Sequence, residues 1–550
     1  MHGRIIGISG ATVRTDLTDL KLYERVRVGN RGLTGEVVKL DAEGAVLQIY
    51  EDPHGLAAGE PVRGLGEPLS VTLGPGLLAR MFDGLQRPLK EIADDSGPFL
   101  HDSSTIAAID LEREWEVAMT RKVGDTVAAG ECIGSIPENF LAHPIRVPAG
   151  VSGRVQWVAA GRQALSQPVC ILEDGSRILA HHCWPVRLPR PYRRKLAPGE
   201  PVITGQRIID FLFPIARGGT VVIPGGFGAG KTILEQTIAK FADVDVVVYA
   251  GCGERGNEMA ELIEDFRKLT DRESDRPLSE RTVLVVNTSN MPVAARESSI
   301  YTAVAMGEYF RDLGYHVLLL ADSLSRWAEA LREISSSLEE MPGEEGYPTY
   351  LTSHLASFAE RAGVVETACG ATGSLSMILS VSPPGEDFTE PVTQSLLRIC
   401  GTLLMLDSKL AHSRHFPAIN WSHSYSVYEK ELLPHFEKTT SAEWPALRKF
   451  CRDILRREAE LQEIVEIVGM EGLQDKDRLL MLTAERIRNE FLGQNVFSRD
   501  AYSAPDQTLR LIGEIADWHH GVAERLGGEL ALADILAEMA AEAGGTGGGP

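Results

Sequence analysis

Eight consecutive residues have the composition of a loop that holds phosphate groups. Gly225, Gly226, Phe227, Gly228, Ala229, Gly230, Lys231 and Thr232 match the pattern G-x-x-x-x-G-K-[ST] in full. Glycines let successive backbone N–H groups turn toward one anion. The lysine of such a loop reaches the β- and γ-phosphates, and the hydroxyl after it ligates Mg²⁺. The sequence therefore predicts that all eight residues bind a nucleoside triphosphate, with Lys231 on the phosphates and Thr232 on the metal.

A phosphate loop needs a carboxylate near the metal, and Asp322 has the expected position for one. It directly follows the apolar run His316–Ala321, so it comes at the carboxyl end of a predicted strand. Ligands bind at that edge of α/β sheets. We predict that Asp322 holds Mg²⁺ through water. The alternative is a capping role at the next helix, and both roles are compatible.

Glu254 and Arg255 follow another predicted strand, Val244–Ala250, and are candidates for catalysis. Water is a poor nucleophile, so hydrolysis of a γ-phosphate needs a group that orients and activates it. Glu254 suits that role, and Arg255 could stabilise the charge that develops. The spacing alone leaves an ordinary Glu–Arg pair at the start of a helix as the alternative.

These residues need a parallel sheet to position them. Short apolar runs, largely β-branched, alternate with helix-length segments from about residue 195, which favours parallel strands buried on both faces. The predicted strands are Thr220–Ile223, Val244–Ala250, Thr282–Val286, His316–Ala321 and Leu375–Val381. The sequence predicts a helix over Ile233–Phe241, directly after the phosphate loop.

The regions on either side of the predicted sheet show a different pattern of apolar and turn-forming residues. Residues 1–70 contain short β-rich runs punctuated by turns, which is typical of a small barrel or sandwich, and 110–190 repeat that texture as a second β-rich unit. Leu77–Asp83 between them is predicted as a short helix. Beyond about residue 435 apolar residues recur at helical spacing up to Gly469. The glycine-rich residues 541–550 are predicted as a flexible tail.

Composition narrows the function classes. The chain has 77 acidic and 55 basic residues, giving a net charge of −22, so we expect no nucleic-acid partner. Its seven cysteines are scattered and never spaced C-x-x-C, which indicates reduced thiols in a cytoplasm. No run of apolar residues is long enough to span a bilayer, and no secretory signal is visible.

Several blocks together resemble one protein family, the catalytic A subunits of V-type and archaeal-type rotary ATPases. The likeness extends from the first barrel strand to about residue 505. It rests on Pro224–Thr232, Gly253–Glu258, Asp322–Glu333, Pro342–Pro348, Ser382–Phe388 and Pro417–Ser426.

The resemblance implies a multidomain α/β protein, with a RecA-like P-loop NTPase core between accessory domains. It suggests an N-terminal β-barrel (1–70), a connector (71–109), an inserted β-rich domain (110–190), the nucleotide-binding domain (191–434) and a C-terminal helical domain (435–540), followed by the tail (541–550). It also implies catalysis of ATP hydrolysis or synthesis, coupled by rotation to proton or sodium transport across a membrane.

The resemblance further implies roles for individual residues. Glu254 would activate water, Lys231 and Arg255 would contact phosphate, and Thr232 and Asp322 would lie around Mg²⁺ in a site for ATP or ADP. Phe416 and Phe497 would sandwich the adenine, although core packing is the alternative that the sequence alone favours for both rings.

The same resemblance implies partners and location. B subunits in an alternating A3B3 hexamer would supply an arginine finger, and central and peripheral stalk subunits would link the chain indirectly to a membrane sector. The chain would then lie on the cytoplasmic face of the membrane as a peripheral part of this complex.

Two departures from the family pattern stand in the binding segments. Gly226 replaces the usual proline of the loop, and Gly493-Gln494-Asn495 replaces a common Gln-Gln-Asn. A glycine for a proline loosens the loop by roughly 0.4–1 kcal/mol. Competing hypotheses are a non-catalytic nucleotide-binding subunit of the same ring, an RNA translocase and a protein-export ATPase. Lys231 and Glu254 argue against the first, the acidic charge against the second, and the 110–190 segment against the last two.

Overall fold

The computed structural model describes residues 2–97, 106–226, 228–271, 276–526 and 531–544. The chain forms two units, and each has its own core. The first comprises Met1–Pro198, Arg217–Pro224 and Val244–Cys400, and the second comprises Gly199–Ala216, Gly225–Asp243 and Gly401–Pro550. None of the helices in the described ranges combines the length and the apolar character that crossing a membrane requires.

The first unit begins with a closed six-stranded barrel. Numbered in the order of the chain, its strands are neighbours around the barrel in the order first, second, fifth, fourth, third and sixth. Alternating apolar residues, among them Val13, Val26 and Leu47, are fully buried inside it. Closure removes the exposed edges that a sandwich would leave, so of the two predicted forms the barrel is the one present. The strands are His2–Ser9, Thr12–Thr15, Glu24–Val28, Leu33–Asp41, Gly44–Ile49 and Pro61–Pro68.

A second β-rich region follows in the same unit, made of two four-stranded sheets. One contains Leu141–Arg146, Cys132–Glu138, Glu114–Met119 and Gly161–Ala164, and the other contains Thr126–Val127, Gly153–Val158, Cys170–Leu172 and Arg177–Ile178. Buried residues such as Trp115, Ile133 and Val155 form its interior. A separate pair joins Ser70–Leu73 to His182–Pro185.

The central sheet of the first unit is parallel, and its strands are buried along almost their whole length. Their order is Thr220–Pro224, Thr372–Val381, His316–Asp322, Val246–Glu254, Thr282–Thr288 and Met81–Phe82. Gly363–Glu366 and Arg194–Leu196 extend it antiparallel. All five strands predicted for this sheet are present. Helices of this unit are Leu89–Ser96, Gly256–Lys268, Val293–Asp312, Leu324–Ser337, Leu351–Ala359 and Pro391–Ile399, with short 3-10 turns at Leu278–Arg281, Glu344–Gly346 and Pro384–Glu386.

The short helix predicted over Leu77–Asp83 is wrong. The segment turns at Ala79, which has a φ of 59°, and continues as the strand Met81–Phe82. That strand pairs with Leu284 and Val285 at the sheet edge. Pairing with a distant strand therefore overrides the local helical pattern. The strand at the sheet edge gives hydrogen-bond partners to backbone N–H and C=O groups that a short isolated helix would leave without them.

The second unit contains the helix Lys231–Phe241 and the C-terminal helices. Trp444 lies in its core, stacked on Phe436 at 4.4 Å and edge-on to Phe211 at 4.9 Å. The described helices of this unit also include Ser408–His412, Glu429–Thr439, Trp444–Val468, Asp475–Arg486, Pro505–Leu526 and Leu532–Gly544, with π-helical turns at Ile208–Leu212 and Ile487–Leu492 and 3-10 turns at Met470–Gly472 and Arg499–Ala501. Two short β pairs are Pro201–Val202 with Ile215–Ala216 and Thr402–Leu403 with Tyr425–Ser426.

The long helix Trp444–Val468 ends at Gly469, where the sequence predicts its end. Cys451, Ile454 and Leu455 on its apolar face are buried, whereas Ile464 is 46% exposed. The last described helix ends at Gly544, within the segment predicted as a tail, and residues 545–550 lie outside the described residues.

Candidate functional site

The phosphate loop leads from the strand Thr220–Pro224 into the helix Lys231–Phe241. Gly228 and Gly230 have φ values of 80° and 88°, a left-handed conformation that glycine adopts without strain. Gly225 is required for another reason, because a Cβ there would lie 2.8 Å from the Cβ of Leu406. Phe227 lies outside the described residues.

Lys231 and Thr232 open the helix that follows the loop. Lys231 Nζ donates a hydrogen bond to the Gly225 carbonyl at 3.3 Å, so its ammonium group lies back over the loop. Thr232 is exposed on the first turn. The first four N–H groups of a helix have no intrahelical acceptor, and with the helix dipole they favour an anion. The Lys231 ammonium group thus lies over the loop, and the Thr232 side chain is open to solvent at the start of the same helix.

A cavity of about 920 Å³ lies beside this loop within the second unit. Ala229 and Gly230 line it together with Phe416 and Phe497. Phe416 is 41% exposed, Phe497 is 86% exposed, and a Cβ on Gly230 would meet the Phe416 ring at 3.7 Å. The alternative of core packing is therefore wrong for both rings. An apolar cavity next to a phosphate loop can accept a nucleobase between aromatic faces.

One buried arginine holds the segment that carries Phe497. Arg207, only 3% exposed, donates from Nε to the Phe491 carbonyl at 2.6 Å and from Nη2 to the Gly493 carbonyl at 2.7 Å. It also forms an ion pair with Asp500, with Nη2 2.8 Å from Oδ2. Gln494 accepts from the Arg207 N–H at 2.9 Å. Both ends of the ring-bearing segment are fixed, while the Phe497 side chain between them is open to solvent.

Glu254 lies at the end of the buried strand Val246–Glu254 in the first unit. Burial, above all, raises the pKa of its carboxyl to about 7, and the negative charge of Asp322 raises it further. The nearby Ser323 hydroxyl and the charge of Arg326 oppose the rise. A carboxyl group that titrates near neutral pH is suited to accept a proton from water.

Asp322 ends the adjacent strand, in register with Gly251. It is 6% exposed, and its Oδ2 accepts a hydrogen bond from the Tyr249 hydroxyl at 3.1 Å. The helix after it has Ser323 at its N-cap position, and the Ser323 side chain makes no capping hydrogen bond. Asp322 thus lies at the end of a buried strand, as the sequence predicts.

Arg255 is the N-cap residue of the helix Gly256–Lys268. Its guanidinium lies 3.8 Å from Glu258 Oε1, and its side chain is 63% exposed. This pair of Arg255 with Glu258 lies at the start of the helix, and exposed pairs of this kind contribute little to stability. The exposed guanidinium can reach an anion outside the chain.

Three neighbours of the carboxylates were not singled out from the sequence: Tyr249, Ser323 and Arg326. Tyr249 is buried and donates to Asp322, whereas Ser323 and Arg326 act on the ionisation of Glu254. Ser323 and Arg326 belong to the block Asp322–Glu333, so their position close to Asp322 in the sequence could have identified them as neighbours of the carboxylates. Tyr249 could be found only from the register of the two strands.

The donor chemistry of the predicted metal residues fits Mg²⁺. This ion prefers oxygen ligands and usually keeps several waters alongside one or two protein oxygens and substrate phosphates. Thr232 supplies a hydroxyl and Asp322 a carboxylate. Within the described part of the chain, no three or more His, Cys, Asp or Glu side chains form a metal cage, so such an ion would depend on water and phosphate ligands.

Family models match the chain in four consecutive segments. The beta-barrel domain of the ATP synthase alpha/beta family matches residues 5–66, and the barrel-sandwich domain of the alpha/beta subunits matches 106–187. The nucleotide-binding domain of that family matches 205–426, and the C-terminal domain of V and A type ATP synthase matches 433–524. The last match distinguishes the V and A types within the family.

Similar proteins agree over almost the whole length. The A subunit of the A-type ATP synthase of Methanopyrus kandleri is 49% identical over 98% of this chain and 92% of its own. The V-type ATP synthase alpha chain of Anaeromyxobacter dehalogenans is 49% identical over 98% and 93%. The assembled ATPase EscN of the enteropathogenic E. coli type III secretion system shares the fold, with a TM-score of 0.67, 23% identity and coverage of 93% and 99%. The chain therefore belongs to the ATP synthase alpha/beta family, in the group formed by the A subunits of A-type synthases and the alpha chains of V-type synthases.

Proposed function

We propose that this chain is the catalytic subunit of a rotary V-type or A-type ATPase, which hydrolyses or synthesises ATP and couples the reaction to proton or sodium transport. The observation that carries the proposal is Glu254, a strand-end carboxyl whose pKa is raised to about 7 by burial and by Asp322. Such a group takes a proton from the attacking water near neutral pH. A protein that only bound nucleotide would not need it.

The phosphate loop binds the triphosphate of ATP or ADP in this proposal. The glycines and Ala229 present backbone N–H groups, while Lys231 and Arg255 supply positive charge to the phosphates. Thr232 and Asp322 would hold Mg²⁺, Asp322 through water, and the ion would neutralise charge on the phosphates. Glu254 orients and deprotonates water.

Phe416 and Phe497 bind the adenine between their faces. Their exposure in the cavity of the second unit supports this assignment, because both rings present apolar surface that a base can cover. The Gly226 and Gly493 departures leave the chemistry of the site unchanged.

The domain organisation of the proposal follows the sequence prediction: barrel 1–70, connector 71–109, inserted β-rich domain 110–190, nucleotide-binding domain 191–434, helical domain 435–540 and tail 541–550. The positions of the four family matches support it.

The chain belongs to a multi-subunit complex in this proposal. It alternates with B subunits in an A3B3 hexamer, contacts central and peripheral stalk subunits, and acts on a membrane sector only through them. This position is peripheral, on the cytoplasmic face of the membrane. The net charge of −22 fits the absence of a nucleic-acid partner.

Co-expression with the genes that neighbour this one tests the proposal. The chain should co-purify with a second member of the alpha/beta family, and the complex should hydrolyse Mg-ATP at a rate at least tenfold above that of the isolated chain. Equal turnover by the isolated monomer, or a complex without ATPase activity, would overturn the assignment.

A further inference from the structure

Two cysteines that are far apart in the sequence meet on the surface of the first unit. Cys132 begins the strand Cys132–Glu138 of the second β-rich region. Cys369 lies in the turn 367–370 that joins the strands Gly363–Glu366 and Thr372–Val381 of the central sheet. The turn is closed by the Gly370 N–H, which donates to the Thr367 carbonyl at 2.9 Å. We call Cys132 and Cys369 the thiol pair.

Several contacts bring the thiol pair together. Cys369 Sγ donates to the Gly130 carbonyl at 3.9 Å, two residues before Cys132. A Cβ on Gly130 would lie 3.9 Å from the Cβ of Ala368, which is ordinary van der Waals contact between the two turns. Cys132 Sγ in turn donates to the Gly134 carbonyl at 3.5 Å, and each thiol shifts the pKa of the other. Cys369 is exposed and Cys132 half-buried, so small oxidants can reach the pair.

Arg146 makes the environment of the thiol pair electropositive. It is the cross-strand partner of Cys132, and its positive charge favours the thiolate form of Cys369. The neighbouring Cys132 thiol, followed by the charge of Arg146, lowers the pKa of Cys369 to about 6, and Cys369 raises that of Cys132. Among the described residues, Arg146 Nε is buried without a hydrogen-bond partner. This is the environment of a reactive thiolate next to a resolving thiol.

The other cysteines differ from this pair. Cys170, Cys252, Cys400 and Cys451 are buried, and burial raises their thiol pKa values. Cys183 is exposed, but its sulfur contacts the Thr72 hydroxyl at 3.8 Å.

We propose that Cys132 and Cys369 form a reversible dithiol–disulfide site, which links the second β-rich region covalently to the central sheet when low-molecular-weight disulfides accumulate. The Cys369 thiolate attacks one sulfur of the small disulfide and displaces one thiolate, giving a mixed disulfide. Cys132 then loses its proton and attacks the Cys369 sulfur, which releases the second small thiolate. The two displaced thiolates take up the protons lost by the pair, and the two electrons given up by the pair reduce the small disulfide.

The test uses the full chain incubated with oxidised glutathione at neutral pH. We expect the thiols titrated after denaturation to fall from seven to five. Non-reducing peptide mapping should find the peptides of Cys132 and Cys369 joined, with a loss of two hydrogen atoms, and a reductant should restore both thiols. Cys132→Ser should instead trap a glutathione adduct on Cys369. Cys183→Ser is the matched control and should still form the link.

A second measurement separates proximity from reactivity. Alkylation of Cys369 by iodoacetamide at pH 7 should slow about tenfold or more in Arg146→Gln, since fewer Cys369 thiols are then ionised. Arg154→Gln, in the other four-stranded sheet of the second β-rich region, should leave that rate unchanged. Links to Cys183, links between chains, or glutathione adducts without an internal link in the unmodified chain would each overturn the proposal. Because the mapping is done on the unmodified chain, a variant that fails to fold does not affect that result.

Discussion

The carboxyl groups at the strand ends and the aromatic rings of the cavity differ in how far the folded chain alone fixes their surroundings. Glu254 and Asp322 end buried parallel strands; Asp322 accepts a hydrogen bond from the Tyr249 hydroxyl, and burial with the charge of Asp322 raises the pKa of Glu254. Phe416 and Phe497 stand on loops and leave 41% and 86% of their surface exposed. The folded chain thus fixes the surroundings of the two carboxyl groups, whereas both rings leave apolar surface open for a ligand to cover.

This contrast has an energetic side. Burying a carboxyl group disfavours its charged form, so ionised Glu254 lowers the free energy of unfolding of the chain. The same burial raises the pKa of Glu254, which is what the proposed role in accepting a proton requires. An exposed ring costs the fold little and gains its stabilisation when a base covers it. Changes at the carboxylates should therefore affect turnover and stability, and changes at the rings should affect affinity alone.

The largest expected effect is that of Glu254→Gln in the assembled complex. Loss of the group that accepts the proton of water should lower ATP turnover by about 10²–10⁴-fold. Binding of ATP to the isolated chain should change less than about threefold, because the glutamine preserves shape. Steady-state hydrolysis and a fluorescent-nucleotide titration measure the two quantities. Glu264→Gln, on the helix that follows and 56% exposed, is the control and should keep most of the activity. Equal turnover in Glu254→Gln and the unmodified complex contradicts the proposed role.

The rings should give the next largest effect. Phe416→Ala and Phe497→Ala should each weaken ATP binding by about 1–3 kcal/mol, the usual value of base–aromatic stacking. Binding of inorganic tripolyphosphate should not change, since it has no base to stack. Calorimetric titration of the isolated chain compares the two ligands.

Phe140→Ala controls for the loss of an exposed ring elsewhere, because Phe140 is 46% exposed in the second β-rich region. If a ring variant weakens tripolyphosphate as much as ATP, the ring supports the loop and does not bind the base.

The pH profile of kcat/KM should rise about tenfold per unit below pH 7 and level off above it. The sign follows from the raised pKa of Glu254, because the carboxyl is protonated below about 7 and then cannot accept a proton. In Glu254→Gln, the residual kcat/KM should not show this rise with pH below 7. A profile that stays flat from pH 6 to 8 would remove Glu254 as the base.

The smallest effect should be on stability. A raised folded-state pKa means that stability is lost as pH rises from the unfolded value of 4.5 through about 7. At pH 8 the neutral glutamine of Glu254→Gln should therefore stabilise the isolated chain by about 1–2 kcal/mol, which discounts the shift for partial solvent contact. Phe497→Ala should change stability by less than about 0.5 kcal/mol. Thermal unfolding at pH 8 checks both, and a lower melting temperature for Glu254→Gln would contradict the sign.

The sequence predicted the sheet better than the loops around it. Apolar β-branched runs specify buried parallel strands directly, so the strands that lead to Glu254 and Asp322 were predictable, although the first continues to Glu254 and not only to the predicted Ala250. The exposure of Phe416 and Phe497 was not, because an aromatic residue in a loop has no periodic pattern to separate packing from binding. The strand Met81–Phe82 failed for a related reason, since its two residues gain their partners, Leu284 and Val285, only from a distant part of the sequence.

Arg207 holds both sides of the segment that carries Phe497. A single guanidinium fastens Phe491 and Gly493 on one side and Asp500 on the other, and the backbone N–H of Gln494 also bonds to the Phe416 carbonyl at 2.7 Å. The stretch from Asn495 to Arg499 thereby lies between fixed attachment points. Under the role proposed for Phe497, its residues are the ones to vary when an altered base preference is sought, since the contacts of Arg207 lie outside it.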